Sequence, residues 1–303
     1  MDPIEIFFIV FLGFALLMGI VTNAFIAAVI AVPSIRSRRL PSSSDLLLLG
    51  VAVTNIPLQC SLSGNNMLRF LWEEMYNRDN VWKSFFILFP IFGFSNFWIN
   101  TWLCVFYCIK IVNFSHPFIS RIRLRMAAMI PWLLLGSVLV SLVINLPEFW
   151  HCMKLYTINS TTTNTTFEGT VRDYSIFQKC IIIIMGCFLP LVVIITSSVL
   201  ILTSLYQHTQ QMQKNMTSSG GGPSLEAHNK AAKTTLALLI LYIMFDLSFL
   251  VVSLSRNGDA KTFRLYFSVC GCSVYPFIDS LILIFGNTKL KAAAVKTLCF
   301  HEH

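Results

Sequence analysis

Apolar residues fall in seven long runs, about 4–32, 46–69, 84–112, 127–147, 180–207, 231–254 and 263–285, separated by short polar stretches. Within the runs, hydrophobic and polar residues do not alternate. That pattern fits helices greasy on every side and not the strands of a barrel. Runs of ~20 apolar residues are long enough to cross a bilayer as helices. A shorter amphipathic stretch, about 287–298, follows the last run. The expected fold is therefore an all-α membrane protein, a seven-transmembrane helix bundle filling residues 1–303 as one domain, with a short amphipathic helix after the last span. The second run is the most interrupted, by Asn55, Pro57, Gln59, Ser61 and Ser63. The first has acidic residues and no basic segment ahead of it, and it exceeds a signal-peptide core, so it reads as a retained anchor.

Composition strengthens this reading. The chain is 55% hydrophobic and 12% charged, against about 25% charged in a soluble domain. So few charges leave too little polar surface for a soluble fold of this size. The basic residues then set the orientation. Thirteen of the 22 fall at one end of the spans: Arg36, Arg38, Arg39, Lys110, Arg121, Arg123, Arg125, Lys214, Lys230, Lys233, Lys289, Lys291 and Lys296. Only three of the 14 acids, Asp45, Glu226 and Glu302, join them, while Asp246 and Asp279 lie inside spans. That end is expected to be cytoplasmic, which puts the amino terminus outside. The net charge of +8 follows from topology, so no nucleic-acid partner is implied.

The stretch between spans four and five carries two sequons, Asn159-Ser160-Thr161 and Asn164-Thr165-Thr166, on the expected outer face, where N-glycosylation is possible. Two more, starting at Asn113 and Asn215, fall on the inner face and should stay bare. The Gly- and Ser-rich stretch after Asn215 reads as a flexible turn. Most of the nine cysteines sit within apolar runs and read as small buried side chains. Cys152 and Cys180 flank the outer loop, and their pairing is left open. Cys299 is either a palmitoylation site or an ordinary thiol. No HExxH, GxSxG, Walker lysine or CxxC metal pair occurs, so neither an enzyme, a metal site nor a cofactor is expected. The last span has no interior lysine for a retinal Schiff base.

Motifs at the span ends carry a family resemblance. Span three ends Phe106-Tyr107-Cys108-Ile109-Lys110-Ile111-Val112-Asn113-Phe114-Ser115-His116-Pro117-Phe118, which resembles the FYxLKIxNFSxPxF signature of bitter taste receptors (taste receptors type 2), a class of G-protein-coupled receptors. Leu200–Leu205 with His208 and Met212 is similar to the family's LLIxSLxxHxxxM. Ala227-His228-Asn229-Lys230-Ala231-Ala232-Lys233-Thr234 resembles AHxxALKT, and Ser280–Lys291 resembles SxxLIxxNxKLK. Gly19-Ile20 with Asn23 and Phe25-Ile26 adds a match in span one. The matches run in order along nearly the whole chain. They imply a multi-pass plasma-membrane receptor whose partners are small-molecule bitter agonists, a heterotrimeric G protein and the lipid bilayer. A vomeronasal type 1 pheromone receptor is the nearest rival, and a small transporter is a more distant one. The chain departs from the resemblance at Asn55, where an Arg is common, and at Asp279, where a His is common. Phe89 and Gly93 stand where many mammalian members place Trp and Asn, and Val269 where some use an acid.

Three groups of residues are candidates for function. Asn23, Asn55 and Asp279 each fall roughly 10–15 Å from the cytoplasmic helix ends at ~1.5 Å per residue, with Asn96 somewhat farther. They form either a polar hub, holding water or a sodium ion beside Asp279, or simple glue between helices. Phe89, Gly93, Asn96 and Asn100 share one face of span three. With Tyr242, Phe245, Asp246 and Phe249 of span six and Tyr266 and Cys270 of span seven, they are the expected ligand-binding wall; the alternative for the aromatic residues is core packing. Asp246 either pairs with a cationic ligand or bonds a neighbouring helix. The family resemblance places Tyr107, Lys110, His208, His228, Lys230 and Lys233 on the G-protein side; the alternative for the lysines is attraction to anionic lipid at the membrane surface. Lys289, Lys291 and Lys296 read as lipid anchors.

Overall fold

The computed structural model describes residues 3–78, 81–112, 117–161, 180–215, 223–254 and 261–299. Its helices are α1 (Pro3–Ser37), α2 (Ser43–Leu71), the short α3 (Glu73–Arg78), α4 (Val81–Ile111), α5 (Pro117–Thr161), α6 (Leu189–Asn215), α7 (Pro223–Leu254), α8 (Lys261–Gly286) and α9 (Thr288–Cys299). A π-helical stretch, Ile182–Phe188, leads into α6. By length and composition α1, α2, α4, α5, α6 and α7 each qualify as membrane spans on their described residues. α8 joins them when taken with α9, against which it is bent by 99°.

The helix ends follow local chemistry. The Ser42 hydroxyl accepts the Asp45 N–H at 3.3 Å to cap α2. Asn287 Oδ1 accepts the N–H groups of Lys289 (2.9 Å) and Leu290 (3.2 Å), starting α9 just past the bend. α1 ends with Arg38 in the left-handed region at φ 52°, and the N–H groups of Arg38 and Arg39 turn back to the carbonyls of Ile35 and Ser34.

α1 packs on α2 and α8, α2 on α4, α4 on α5 and α6, and α6 on α7, which returns to α8. α4 therefore runs through the middle of the ring. Most of the core is one large cluster that includes Leu47, Val51, Leu58, Phe97, Leu103, Tyr242 and Tyr275. Large apolar side chains also cover the outside, among them Phe7, Leu17, Trp132 and Val143. Lipid accepts such a surface where water would not.

The polar interruptions of the second span have a structural reason. In the most apolar stretch of α2, 61% of residues are buried, against 22% in α1 and α5. Its polar side chains point into the bundle, where Asn55, Gln59 and Ser63 are fully enclosed. Pro57 sits within the helix without ending it, and its carbonyl accepts the Ser61 hydroxyl at 2.7 Å. Several helices run past the expected spans. α5 extends to Thr161, so Asn159 falls in its last turn and not in a loop. The side chain of Asn159 lies outside the described residues, as do Asn164 and the side chain of Cys152. Cys180 carries a free thiol.

The tail helix corrects one expectation. Lys289 does not simply face lipid: its Nζ donates to Asp45 Oδ2 at 2.9 Å, joining α9 to the start of α2. Leu290 beside it is fully buried.

Candidate functional site

Toward the bundle end that holds the starts of α1, α4 and α6, a cavity of about 10 Å³ opens between α4, the π-helical stretch and α7. That is room on the order of one water molecule. Phe89, Gly93, Phe245, Asp246 and Phe249, all expected in the ligand wall, line it. So do Pro90, Phe94, Phe97, Gly186 and Cys187. The rings pack closely. Phe249 meets Phe89 at 5.9 Å and Phe94, edge to face, at 6.0 Å between centroids. Gly186 is what admits Phe94: a Cβ built there would lie 2.5 Å from Phe94 Cε1. In the π-helical stretch the Leu189 N–H reaches Ile184 O, five residues back. The extra residue per turn brings Gly186 and Cys187 to the cavity. Cys187 lines the cavity beside the Asp246 carboxyl, which is 4% exposed.

Asn96, Asn100 and Tyr242 do not line this cavity. They lie one layer deeper, because the α4 face that bears Phe89 and Gly93 continues below the point where Phe97 and Phe245 close the floor. Cys270 is half-buried on α8 and also outside the cavity wall. The side chain of Tyr266 lies outside the described residues.

The deeper layer is a continuous polar network. Asn55 Nδ2 donates to Asn23 Oδ1 at 3.1 Å and to Asp279 Oδ2 at 3.0 Å. Asn96 Nδ2 donates to Asn55 Oδ1 at 2.9 Å and to Thr54 Oγ1 at 3.0 Å. Asn96 Oδ1 in turn accepts Asn100 Nδ2 at 3.0 Å and the Tyr275 hydroxyl at 2.9 Å. Asn23 Nδ2 bonds the carbonyls of Gly19 and Pro276. Asn23, Asn55, Asn96, Asn100 and Asp279 are all fully buried, so α1, α2, α4 and α8 share one network. Asp279 Oδ1 and Asn100 Oδ1 are buried with no hydrogen-bond partner in the structure. The network thus has more acceptors than donors beside Asp279. One layer nearer the cavity end, Gln59 Nε2 bonds Ser63 Oγ and Ser273 O, both at 2.9 Å.

At the opposite end, Tyr107 packs beside Phe106 at 5.8 Å and against the cluster of Cys108, Ile201 and Leu205. Lys110 is exposed, with Nζ 5.9 Å from the Phe106 ring centroid. The Lys110 carbonyl accepts Arg123 at 2.7 Å, tying α4 to the start of α5. Lys233 is exposed on α7. The side chains of His208, His228 and Lys230 lie outside the described residues, although their backbones continue α6 and α7. Among the described residues no group of His, Cys, Asp and Glu has the arrangement of a multi-ligand metal site.

Comparison with known proteins adds to this geometry. The family described as "Taste receptor protein (TAS2R)" matches residues 1–302. Taste receptor type 2 member 40 of Gallus gallus is 31% identical over 281 residues, covering 92% of this chain and 89% of that protein. Taste receptor type 2 member 9 of Macaca mulatta is 32% identical over 302 residues, covering 99% and 95%. Taste receptor type 2 member 7 of Rattus norvegicus is 30% identical over 290 residues, covering 93% and 91%. An all-helical membrane bundle with matches of this extent belongs to the taste receptor type 2 family of G-protein-coupled receptors.

Proposed function

We propose that this receptor takes small bitter molecules into the cavity between α4, the π-helical stretch and α7. Their binding is then coupled through the polar network to a heterotrimeric G protein at the opposite end of the bundle. One observation carries the reading: the cavity and the network share an aromatic wall. Phe245 lines the cavity, and its ring stacks on Tyr275 at 4.2 Å between centroids. The Tyr275 hydroxyl belongs to the network. A ligand that shifts Phe245 therefore bears directly on Tyr275, and through Asn96 and Asn55 on Asp279.

Such coupling needs two arrangements of the network with different affinity for ligand. Tyr107, Lys110 and Lys233, with His208, His228 and Lys230, are the residues on which the G protein would act. The basic end is proposed to face the cytosol and the cavity end the outside, in the plasma membrane, with Asn159 and Asn164 available for glycosylation.

Calcium mobilisation in heterologous cells bearing a promiscuous G protein, screened with a panel of bitter compounds, tests the reading. Concentration-dependent responses absent from mock-transfected cells are expected. A receptor that reaches the surface and answers no compound in a broad panel would sink it.

A further inference from the structure

Asp246 and Asp279 are both buried carboxyl groups, but their surroundings differ. Asp279 accepts an amide hydrogen bond from Asn55 within a network of asparagines. Asp246 faces an aromatic cavity. The polar side chain beside it there is the Cys187 thiol, a weak donor, and it forms no ion pair with a described residue. Phe89, Phe94 and Phe249 line the same cavity, and the negative π faces of aromatic rings attract a cation and not a carboxylate.

We infer that this cavity is an organic-cation site, in which Asp246 holds an ammonium nitrogen and Phe89, Phe94 and Phe249 present their rings to its alkyl shell. The inference rests on the receptor reading above and adds the chemical class of ligand. Other classes fit worse. A neutral apolar ligand would bring no strong donor to Asp246, which is already buried at 4% exposure, so the cost of its desolvated carboxyl would stay uncompensated. An anion would meet that carboxyl directly. A metal cation needs several oxygen ligands, and the wall supplies a single carboxyl among rings. An organic ammonium ion is satisfied by both parts: the charge by Asp246, and the weakly hydrated methyl or methylene shell by the aromatic rings.

The cavity is small as it stands, so the ligand must move a ring. Phe94 rests in the space left by Gly186, which belongs to the π-helical stretch. The ring proposed to move is Phe94, which lines the cavity together with Asp246.

The test uses the purified full-length receptor in detergent and two probes of nearly one shape, benzyltrimethylammonium and its carbon isostere neopentylbenzene. Thermal unfolding is followed against probe concentration. The ammonium should stabilise the wild type at a concentration about tenfold or more below that of the isostere. Asp246→Asn should abolish that preference, and Phe249→Leu should weaken it about threefold or more. Equal action of the two probes on the wild type, or no stabilisation by either, overturns the inference without recourse to any variant. So does an equal loss of both in Asp246→Asn. The bitter-compound panel stands apart. A receptor that signals to neutral compounds yet ignores the ammonium refutes the cation site alone, whereas silence to every compound removes the receptor reading as well.

Discussion

The rings of Phe245 and Tyr275 lie 4.2 Å apart between centroids and are tilted by 30°. Phe245 faces the cavity, whereas the Tyr275 hydroxyl accepts from Asn100 at 3.1 Å and donates to Asn96 at 2.9 Å. Two adjoining side chains thus separate the proposed ligand from the polar network. Because both are fully or almost fully buried, movement of one ring displaces the other.

Removing the Tyr275 hydroxyl tests that connection. Tyr275→Phe keeps the stack but leaves Asn96 and Asn100 with one partner fewer. A loss of about 1–3 kcal/mol in stability is expected, read as a lower unfolding temperature. The maximal response to agonist should fall while agonist binding stays near the wild-type level. Wild-type stability and signalling together would detach the network from activation.

Gly186 makes a steric prediction. Gly186→Ala drives a methyl group into the Phe94 ring, which has to swing toward Phe249 and fill the cavity. Overpacking of this kind costs about 1–3 kcal/mol. Agonist potency should drop while surface expression is retained. The double variant with Phe94→Leu should recover most of the potency, and its failure to do so would place the ligand elsewhere.

The unpartnered Asp279 Oδ1 and Asn100 Oδ1 make an ionic prediction. If a sodium ion is held between such acceptors, sodium chloride stabilises the wild type more than choline chloride does at equal ionic strength. Asp279→Asn replaces a carboxylate oxygen by an amide donor that can bond Asn100 Oδ1, so the sodium effect should vanish without loss of fold. Calorimetry of both proteins in the two salts reads this directly. Unchanged signalling and unchanged salt response in Asp279→Asn would reduce the network to a structural link between helices.

How much of this was legible in the sequence depended on the type of signal. Spans are written as continuous apolar length, and the fold followed from them. Asn23, Asn55 and Asp279 were recognisable as one group because equal distances from the helix ends put them at one depth, and the structure joins them. Depth along α4 was not legible. The spacing of Phe89, Gly93, Asn96 and Asn100 gives a shared face but not the level at which Phe97 and Phe245 close it, so Asn100 was assigned to the wall alone and Asn96 to both wall and hub, whereas both belong to the network. Tyr275 was missed because an aromatic residue inside an apolar run carries no sign that its hydroxyl is bonded. Gly186 and Cys187 were hidden by the π-helical stretch, which shifts the helical face that a regular count would give. The Asp45–Lys289 pair spans 244 positions of chain, and nothing in local charge pattern reports a contact of that range.

Sequon use tests the orientation. Asn159→Gln and Asn164→Gln should each remove a glycan, seen as a mass step on glycosidase treatment of the wild type that shrinks in each variant. Asn113→Gln and Asn215→Gln should leave the mass pattern unchanged. A glycan on Asn113 or Asn215 would invert the proposed topology.

The Asp45–Lys289 pair tests whether the tail helix is held by charge or by packing. Lys289 is 48% exposed and Asp45 16%, so water screens much of the attraction. Ion pairs at such sites contribute about 0–1 kcal/mol. Leu290, fully buried beside the pair, removes far more apolar surface from solvent and lipid headgroups. Lys289→Ala and Asp45→Asn should therefore each lower stability by less than about 1 kcal/mol, and the double variant by no more than the larger single effect, which is the mark of a coupled pair. Leu290→Ala should cost about 2–5 kcal/mol and expose the tail to protease. If the charge variants instead released the tail while Leu290→Ala did not, the 99° bend between α8 and α9 would be set by electrostatics and not by the buried leucine.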